Sequence, residues 1–509
     1  MRQLKVMVLE PPNQQLPVDT ARPNGSLGPA YLVGALRQQG IEADYLDATV
    51  GRPGDSLEDS FYCRTPQENG TIRYGMSRER LAEEFAKYDV IATSSIFSAQ
   101  TRMHFEAAEI ARTVSAGIGK RIYMVSGGVS ARAMREQFLA NGFDVVALGE
   151  GEHTIVEIVR ALARPHPDLS HVEGIAFRRD GVTVTNPVRT AMTRSMDELP
   201  APALDALPLS VYRDLRIPHA GVLPEGTMFA PMQTSRGCQD KCTFCHISLE
   251  KLETHLVGQI GYLRDSSAER VGQDVDRAVA LGVRRLYFED DNLFFNKKRL
   301  RELAPYLQRE GLEYANVNGA NLRFLLKKTT AGDYVVDTDF IELLAGFGLR
   351  ELVLPFESRN SAIMLKYASG KYDPDVMDSV AIVGALKKVG VRIAGNFMIG
   401  FRDESWDSIL RTRQFAGELL AAGLDAVGFM IPVPYPGSVD FKMVMADDTL
   451  RADFELDPLK YTDRMHWRAR PLFPTAVPGE RLEAAVREFW LELNDSHYTR
   501  LKVGQNVVS

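Results

Sequence analysis

The strongest constraint on the fold is an alternation of short apolar runs with longer amphipathic stretches, sustained along most of the 509 residues. In the first part, LKVMVL (4–9), IEADYLDA (41–48), DVIATSS (89–95), RIYMVSGG (121–128) and DVVALGEGE (144–152) read as strands. Helical spacing predicts helices over 28–40, 99–114, 130–140 and 153–163 between and after them. Strands alternating with helices imply a parallel, doubly wound sheet of the flavodoxin-like kind, which binds ligands beyond the carboxyl ends of its strands. Those ends carry PPN (11–13), Ser94-Ser95, SGG (126–128) and GEGE (149–152). Small residues there let a backbone approach a large ligand closely. Residues 49–80 form a polar insertion with little periodicity.

The pattern then breaks. Residues 166–227 are rich in proline and read as a connector, with a small hairpin turning at Asp180-Gly181. From 228 to 440 the alternation resumes. Its strands end at MQTSRG (232–237), VRRLYFEDDN (283–292), YANVNGANLR (314–323), ELVLPFESRN (351–360), VRIAGNFMIGF (391–401) and AVGFMIPVPYPGS (426–438). Six such units fit a partial (β/α)6 barrel, whose chemistry belongs at the C-terminal ends of its strands. Residues 441–509 read as a small, mainly helical region with one amphipathic helix over 478–495. The expected domains are therefore 1–165, the connector 166–227, the barrel 228–440 and the tail 441–509, all of the α/β class apart from the tail.

A net charge of −7 argues against a broad nucleic-acid surface. No apolar run approaches the roughly 18 residues of a membrane span. The opening MRQLKVMVLEPPN lacks a secretory apolar core, so a cytoplasmic location is expected. Four cysteines in such a length make no disulfide framework.

Three of those cysteines, Cys238, Cys242 and Cys245, crowd into TSRGCQDKCTFCH (234–246) with the spacing C-x3-C-x2-C. Structural zinc with His246 as fourth ligand would need to close a tetrahedron within nine residues, whereas such sites usually join two ligand pairs across a spacer. The run Cys242 to His246 also matches the C-x-x-C-H of attached haem, but that leaves Cys238 without a role. Redox thiols are a third reading. An iron–sulfur cluster held by thiolates suits the dense spacing, and three ligands to a four-iron cluster leave one iron open for chemistry.

In its barrel setting, with Phe244 just before the last cysteine, the motif resembles that of the radical S-adenosylmethionine (SAM) superfamily. The resemblance implies that Cys238, Cys242 and Cys245 hold a 4Fe-4S cluster, and that SAM binds the open iron through its amino and carboxylate groups. Reductive cleavage of SAM would then give a 5′-deoxyadenosyl radical. It further implies SAM contacts from Phe244, from Asp290 and Asp291 of FEDDN (288–292), where Glu289 is a further candidate, from Glu357 and Ser358 of LPFESRN with Arg359 beside them, and from Asn396 of NFMIGF.

The first domain lacks the G-x-G-x-x-G of dinucleotide sites. Its proline-rich first loop, SLGPAYL (26–32), Thr93-Ser94-Ser95, Gly127-Gly128 and GEGE resemble the cobalamin-binding domain of cobalamin-dependent radical SAM enzymes. This implies cobalamin contacts from Pro12, Asn13, Ser26, Leu27, Ser94, Ser95, Gly127, Gly128, Gly149, Glu150 and Gly151. No D-x-H-x-x-G occurs, so no protein histidine is expected below the cobalt; His104 reads as a helix residue. Cysteine count sets the chain apart from methylthiotransferases, which need a second trio; Cys63 stands alone in the insertion.

The resulting expectation is a radical methyltransferase that moves a methyl group from SAM through methylcobalamin to an unactivated carbon, less readily phosphorus, of a small molecule. The chain-derived catalytic residues are unassigned. The alternative is a cyclisation or rearrangement with the same cofactors, and a third reading is a non-catalytic corrinoid sensor. Expected partners are the small-molecule substrate and an external electron donor such as flavodoxin or ferredoxin, with no nucleic acid and no membrane.

Overall fold

The computed structural model of the chain describes residues 3–23, 25–189, 195–218 and 222–494. Parts of the expected connector (190–194 and 219–221) and the end of the tail (495–509) lie outside the described residues. The chain divides into two compact units. The first comprises 1–230, 249–261 and 435–463; the second comprises 231–248, 262–434 and 464–509.

In the first unit, β1 (Val6–Glu10), β2 (Ala43–Asp47), β3 (Val90–Ser94), β4 (Tyr123–Gly127) and β5 (Val145–Ala147) form a parallel sheet in the order 2-1-3-4-5. This is the flavodoxin-like order, and it opens a crevice where the winding reverses, between β1 and β3. All five residues of β1 are buried, which accounts for the unbroken apolar run in the sequence. The hairpin expected in the connector is instead part of this sheet. Its strands, β6 (Ile175–Arg179) and β7 (Val182–Thr185), extend the sheet antiparallel beyond β5. Asp180 at φ 51° and Gly181 at φ 81° supply the tight turn. The insertion is also structured: Arg64–Pro66 and Ile72–Tyr74 form a small antiparallel sheet with Asn13–Gln15. Those strands are three residues each, too short to show a period. Gln14, in the edge strand Asn13–Gln15, is buried and donates to the Ala99 carbonyl at 2.6 Å and to Asp463 at 2.9 Å. The stretch 435–463 thus belongs to the first unit.

In the second unit the strands are β8 (Phe229–Met232), β9 (Arg285–Phe288), β10 (Glu313–Asn316), β11 (Leu349–Glu357), β12 (Arg392–Met398) and β13 (Ala426–Met430), in sequential order without closure. The pairs from β9 onward are parallel. The helix Gly479–Leu493, expected in a separate tail, belongs to this unit and covers β13. Its buried Leu482, Ala485, Val486 and Phe489 recur at helical spacing, and Phe489 packs edge-on at 5.4 Å against Phe429. Asn494, just beyond it, exchanges hydrogen bonds of 3.0 Å with both backbone groups of Val427.

The strand registers define the inner face of this open barrel. Arg285 lies opposite Glu313, Glu351 opposite Arg392, Pro355 opposite Asn396, Asn396 opposite Gly428, and Met398 opposite Met430. Near the N-terminal ends Arg285 fills the interior by bridging Glu313 at 2.8 Å and Glu351 at 2.6 Å. Toward the C-terminal ends Pro355, Asn396, Met398, Gly428 and Met430 are only half-buried. The lumen is therefore plugged at one end and open at the other.

Candidate functional site

The cysteine loop starts where β8 ends and is clamped at its root by a fully buried carboxylate. Asp290, just past β9, accepts hydrogen bonds from the Thr234 hydroxyl at 2.7 Å, the Ser235 hydroxyl at 2.6 Å and the Thr234 amide at 3.1 Å. Arg299 donates to Thr234 from the far side, at 3.1 Å to the hydroxyl and 2.7 Å to the carbonyl. Burial pushes the Asp290 carboxyl above its ordinary range, while the hydroxyl donors pull it back. The sequence suggested Asp290 as a SAM contact. Both of its oxygens are instead spent on the loop, at zero exposure. The neighbouring Asp291 is half-buried and accepts from the Gly237 amide at 2.7 Å, where the chain turns at φ 84°.

Cys238, Cys242 and Cys245 are all free thiols. They are close enough to act on one another. After burial, the Cys242 charge is the largest influence raising Cys245, and Cys238 raises both. Burial pushes the Cys242 thiol up to about 12 and raises Cys238 and Cys245 as well. Thiols held neutral in this way release protons when they take up a metal. Cys238 accepts from the Asp240 amide at 3.4 Å and lies 3.8 Å from the Asn292 side-chain amide. Three neighbouring sulfurs outside any disulfide, with amide donors aimed at one of them, suit thiolate ligation of a cluster. Among the described residues, no three His, Cys, Asp or Glu side chains are gathered as they would be around a single metal ion.

Several supports of this loop escaped sequence reasoning. Asp240 is buried and fixed by Asn321 at 2.9 Å and by Arg323 at 3.1 Å, both just beyond β10. The Thr243 amide donates to the Tyr367 carbonyl at 2.8 Å. Phe244 and Met398 pack against the cluster of Ile363, Tyr367 and Phe401. Lys371 lies 5.9 Å above the Phe244 ring and pairs with Glu357 at 2.7 Å. Glu404 holds the turn after β12 by accepting from the Gly400 amide at 2.9 Å and the Ser408 hydroxyl at 2.7 Å. Asp240 carried a visible signal, being inside the cysteine motif. Asn321 and Arg323 fall in the strand-end stretch 314–323 without a sign of this role, and Tyr367, Lys371 and Glu404 belong to no motif read from the sequence.

Of the remaining expected SAM contacts, Asn396 faces the lumen from β12, and glycine at 428 leaves it room, since a Cβ there would come within 3.2 Å of its Oδ1. Glu357 ends β11 beside a register shift, with φ at 56°. The Ser358 hydroxyl is fully buried between Thr412 at 3.3 Å and Glu404 at 3.5 Å, turned to the helix Trp406–Ala421. Arg359 is likewise committed to Asp375 at 2.5 Å.

In the first unit, the expected cobalamin residues Pro12 and Asn13 follow β1, and Ser94 and Ser95 end and follow β3, so they flank the crevice between those strands. Two polar atoms there, Asn13 Oδ1 and Ser95 Oγ, are buried with no hydrogen-bond partner. Such atoms are costly unless a ligand satisfies them. Gly128, at φ 87°, passes so close to Ser95 that a Cβ would lie 2.5 Å from the Ser95 carbonyl oxygen. Gly127, Gly149, Glu150 and Gly151 are half-exposed along the same edge of the sheet. Ser26 caps the helix Leu27–Gln38 without a side-chain bond, whereas Leu27 is buried in the core. His104 is also buried, 3.1 Å from the Thr93 hydroxyl, and burial drops it to about 3. It is a satisfied interior histidine, and the unmatched atoms at the crevice fit a polar-rimmed corrinoid.

The comparisons agree with this geometry. Residues 23–159 match the B12 binding domain family and residues 232–416 match the Radical SAM superfamily. An uncharacterized methyltransferase of Pyrococcus horikoshii is 25% identical over 79% of this chain and 81% of its own length. Cytidylyl-2-hydroxyethylphosphonate methyltransferase of Streptomyces wedmorensis is 24% identical over 98% of this chain and 92% of its own. The solved structure of the cobalamin-dependent SAM radical enzyme OxsB with aqua-cobalamin bound superposes with a TM-score of 0.61 at 17% identity. It covers 88% of this chain, which spans 56% of that one, and shows the shared fold. No described helix is long and apolar enough to cross a membrane. With a B12-binding domain ahead of a radical SAM domain, the chain belongs to the cobalamin-dependent radical SAM enzymes.

Proposed function

We propose that the chain methylates a small-molecule substrate at carbon, using SAM as methyl source and cobalamin as carrier. The observation that carries this reading is the anchored three-cysteine loop at the open end of a half-exposed lumen. The unmatched Asn13 and Ser95 atoms at the crevice of the first unit support the cobalamin half. The nearly full-length likeness to a phosphonate methyltransferase makes nucleotidyl-activated and free phosphonates the first substrates to try.

When bound, the cluster, SAM and cobalamin supply one-electron cleavage of SAM and a transferable methyl group. The chain's own residues do the rest. Cys238, Cys242 and Cys245 would hold three corners of the cluster. Asp290 and Arg299 fix the loop that presents them. Asp291, Glu357 and Asn396 offer polar groups to SAM, and Phe244 an apolar wall. Ser94, Ser95, Gly127 and Gly128 line the cobalamin edge. An external one-electron donor of the flavodoxin or ferredoxin kind completes the scheme.

The test is an anaerobic assay of the reconstituted protein with SAM, Ti(III) citrate, methylcobalamin and the phosphonate panel. Methyl transfer predicts S-adenosylhomocysteine together with 5′-deoxyadenosine and a product heavier by one methylene. 5′-Deoxyadenosine with an isomerised or cyclised product, and no S-adenosylhomocysteine, would replace this reading with the non-methylating one.

A further inference from the structure

We propose that Lys371 is a redox-positioning residue: a buried cation beside the cysteine loop that makes the cluster easier to reduce, with Glu357 as its counterweight. The inference rests on the radical SAM reading of the loop. Lys371 follows the helix Ser361–Tyr367, and its side chain is only 12% exposed. Its ammonium is fixed in two ways, by Glu357 Oε1 at 2.7 Å and over the face of Phe244 at 5.9 Å, within cation–π range. Phe244 lies between Cys242 and Cys245 in the chain, and the Thr243 amide is tied to the Tyr367 carbonyl at 2.8 Å. The cation therefore cannot drift from the loop without breaking buried contacts.

Glu357 pairs with Lys371 at 2.7 Å, while Asp240 in the loop pairs with Arg323 at 3.1 Å. A cluster on three thiolates gains negative charge on reduction, and its potential follows local charge and burial. At low local dielectric a fixed cation is felt strongly. Glu357 is held at φ 56°, a strained backbone state for a residue with a side chain, next to the register shift in β11. Strain of that kind at a strand end fits a carboxylate held where Lys371 needs a partner.

The step at issue is simple: one electron passes from a reductant such as Ti(III) citrate to the cluster, and no proton moves. The test is an anaerobic titration of the reconstituted full chain without SAM, followed by the EPR signal of the reduced cluster. K371M should reduce about tenfold less favourably, which is a fall of about 59 mV for one electron. E357Q should shift the midpoint the opposite way, K371R should stay near the parent, and K388M on the exposed end of the helix Ser379–Lys388 should not move it. Unchanged midpoints in K371M and E357Q would overturn the inference, as would shifts of the same sign. If K371M takes up no iron, E357Q and K371R decide. A parent protein without any cluster would instead sink the radical SAM reading itself, so the two failures are distinguishable.

Discussion

Asp290 shows how one buried carboxylate organises chemistry it does not touch. It accepts from Thr234 and Ser235 at the root of the cysteine loop, and Arg299 backs the same residues. Removing it would leave those donors buried without acceptors, each costing about 1–3 kcal/mol. D290A is expected to lose roughly 3 kcal/mol of stability in denaturant unfolding and to retain little iron after reconstitution. His104 makes a second, pH-dependent prediction. Its folded value is about 3 against 6.5 for the free side chain. A depressed folded value means stability is fully present above 6.5 and is lost as pH falls toward the folded value. Between pH 7 and pH 5 this residue should cost the protein roughly 2 kcal/mol. H104Q, which keeps a polar partner for Thr93, should lose correspondingly less over the same interval, as read from paired denaturation curves.

At the scale of elements, the loop after β4 is the most demanding piece of backbone at the crevice. Gly128 combines φ 87° with a Cβ position 2.5 Å from the Ser95 carbonyl, whereas Gly40, at φ 70°, faces open space. G40A should therefore cost only about 1 kcal/mol of left-handed strain. G128A must also push β3 and β4 apart, and should weaken cobalamin binding at least tenfold in a spectroscopic titration. The helix Gly479–Leu493 gives another test, since F489A would open a cavity against Phe429 and should cost about 3–5 kcal/mol. The elements that could be read from the sequence are those with buried apolar runs or a helical period: β1 to β5, the six barrel strands and the last helix. What could not be read follows from physics that leaves no period. The three-residue strands of the insertion are too short to alternate. The hairpin of β6 and β7 was visible, but its attachment to β5 is a non-local pairing. The cysteine trio was legible because ligation demands a fixed spacing. The carboxylates were legible as types and not as roles, because FEDDN gives no sign that Asp290 points to Thr234 while Asp291 meets Gly237.

At the scale of the whole molecule, each unit ends its strands in a site of its own. The first keeps unmatched polar atoms where its winding reverses, and the second keeps three free thiols at the open end of its lumen. Neither unit is continuous in sequence: 435–463 returns to the first and 464–494 to the second. A chain cut after residue 434 should consequently lose parts of both, exposing β13 and the Gln14 network. It is expected to be insoluble or to melt well below the parent, as a thermal scan would read. One chain is proposed to carry both a cluster and a corrinoid. The direct measurement is iron and cobalamin together, on one anaerobically purified sample from a cobalamin-supplied host. About four irons and about one corrinoid per chain are expected, with the iron lost and the corrinoid kept in a Cys238, Cys242 and Cys245 triple alanine variant. Zinc in place of iron, or four irons with no corrinoid even after reconstitution, would contradict it.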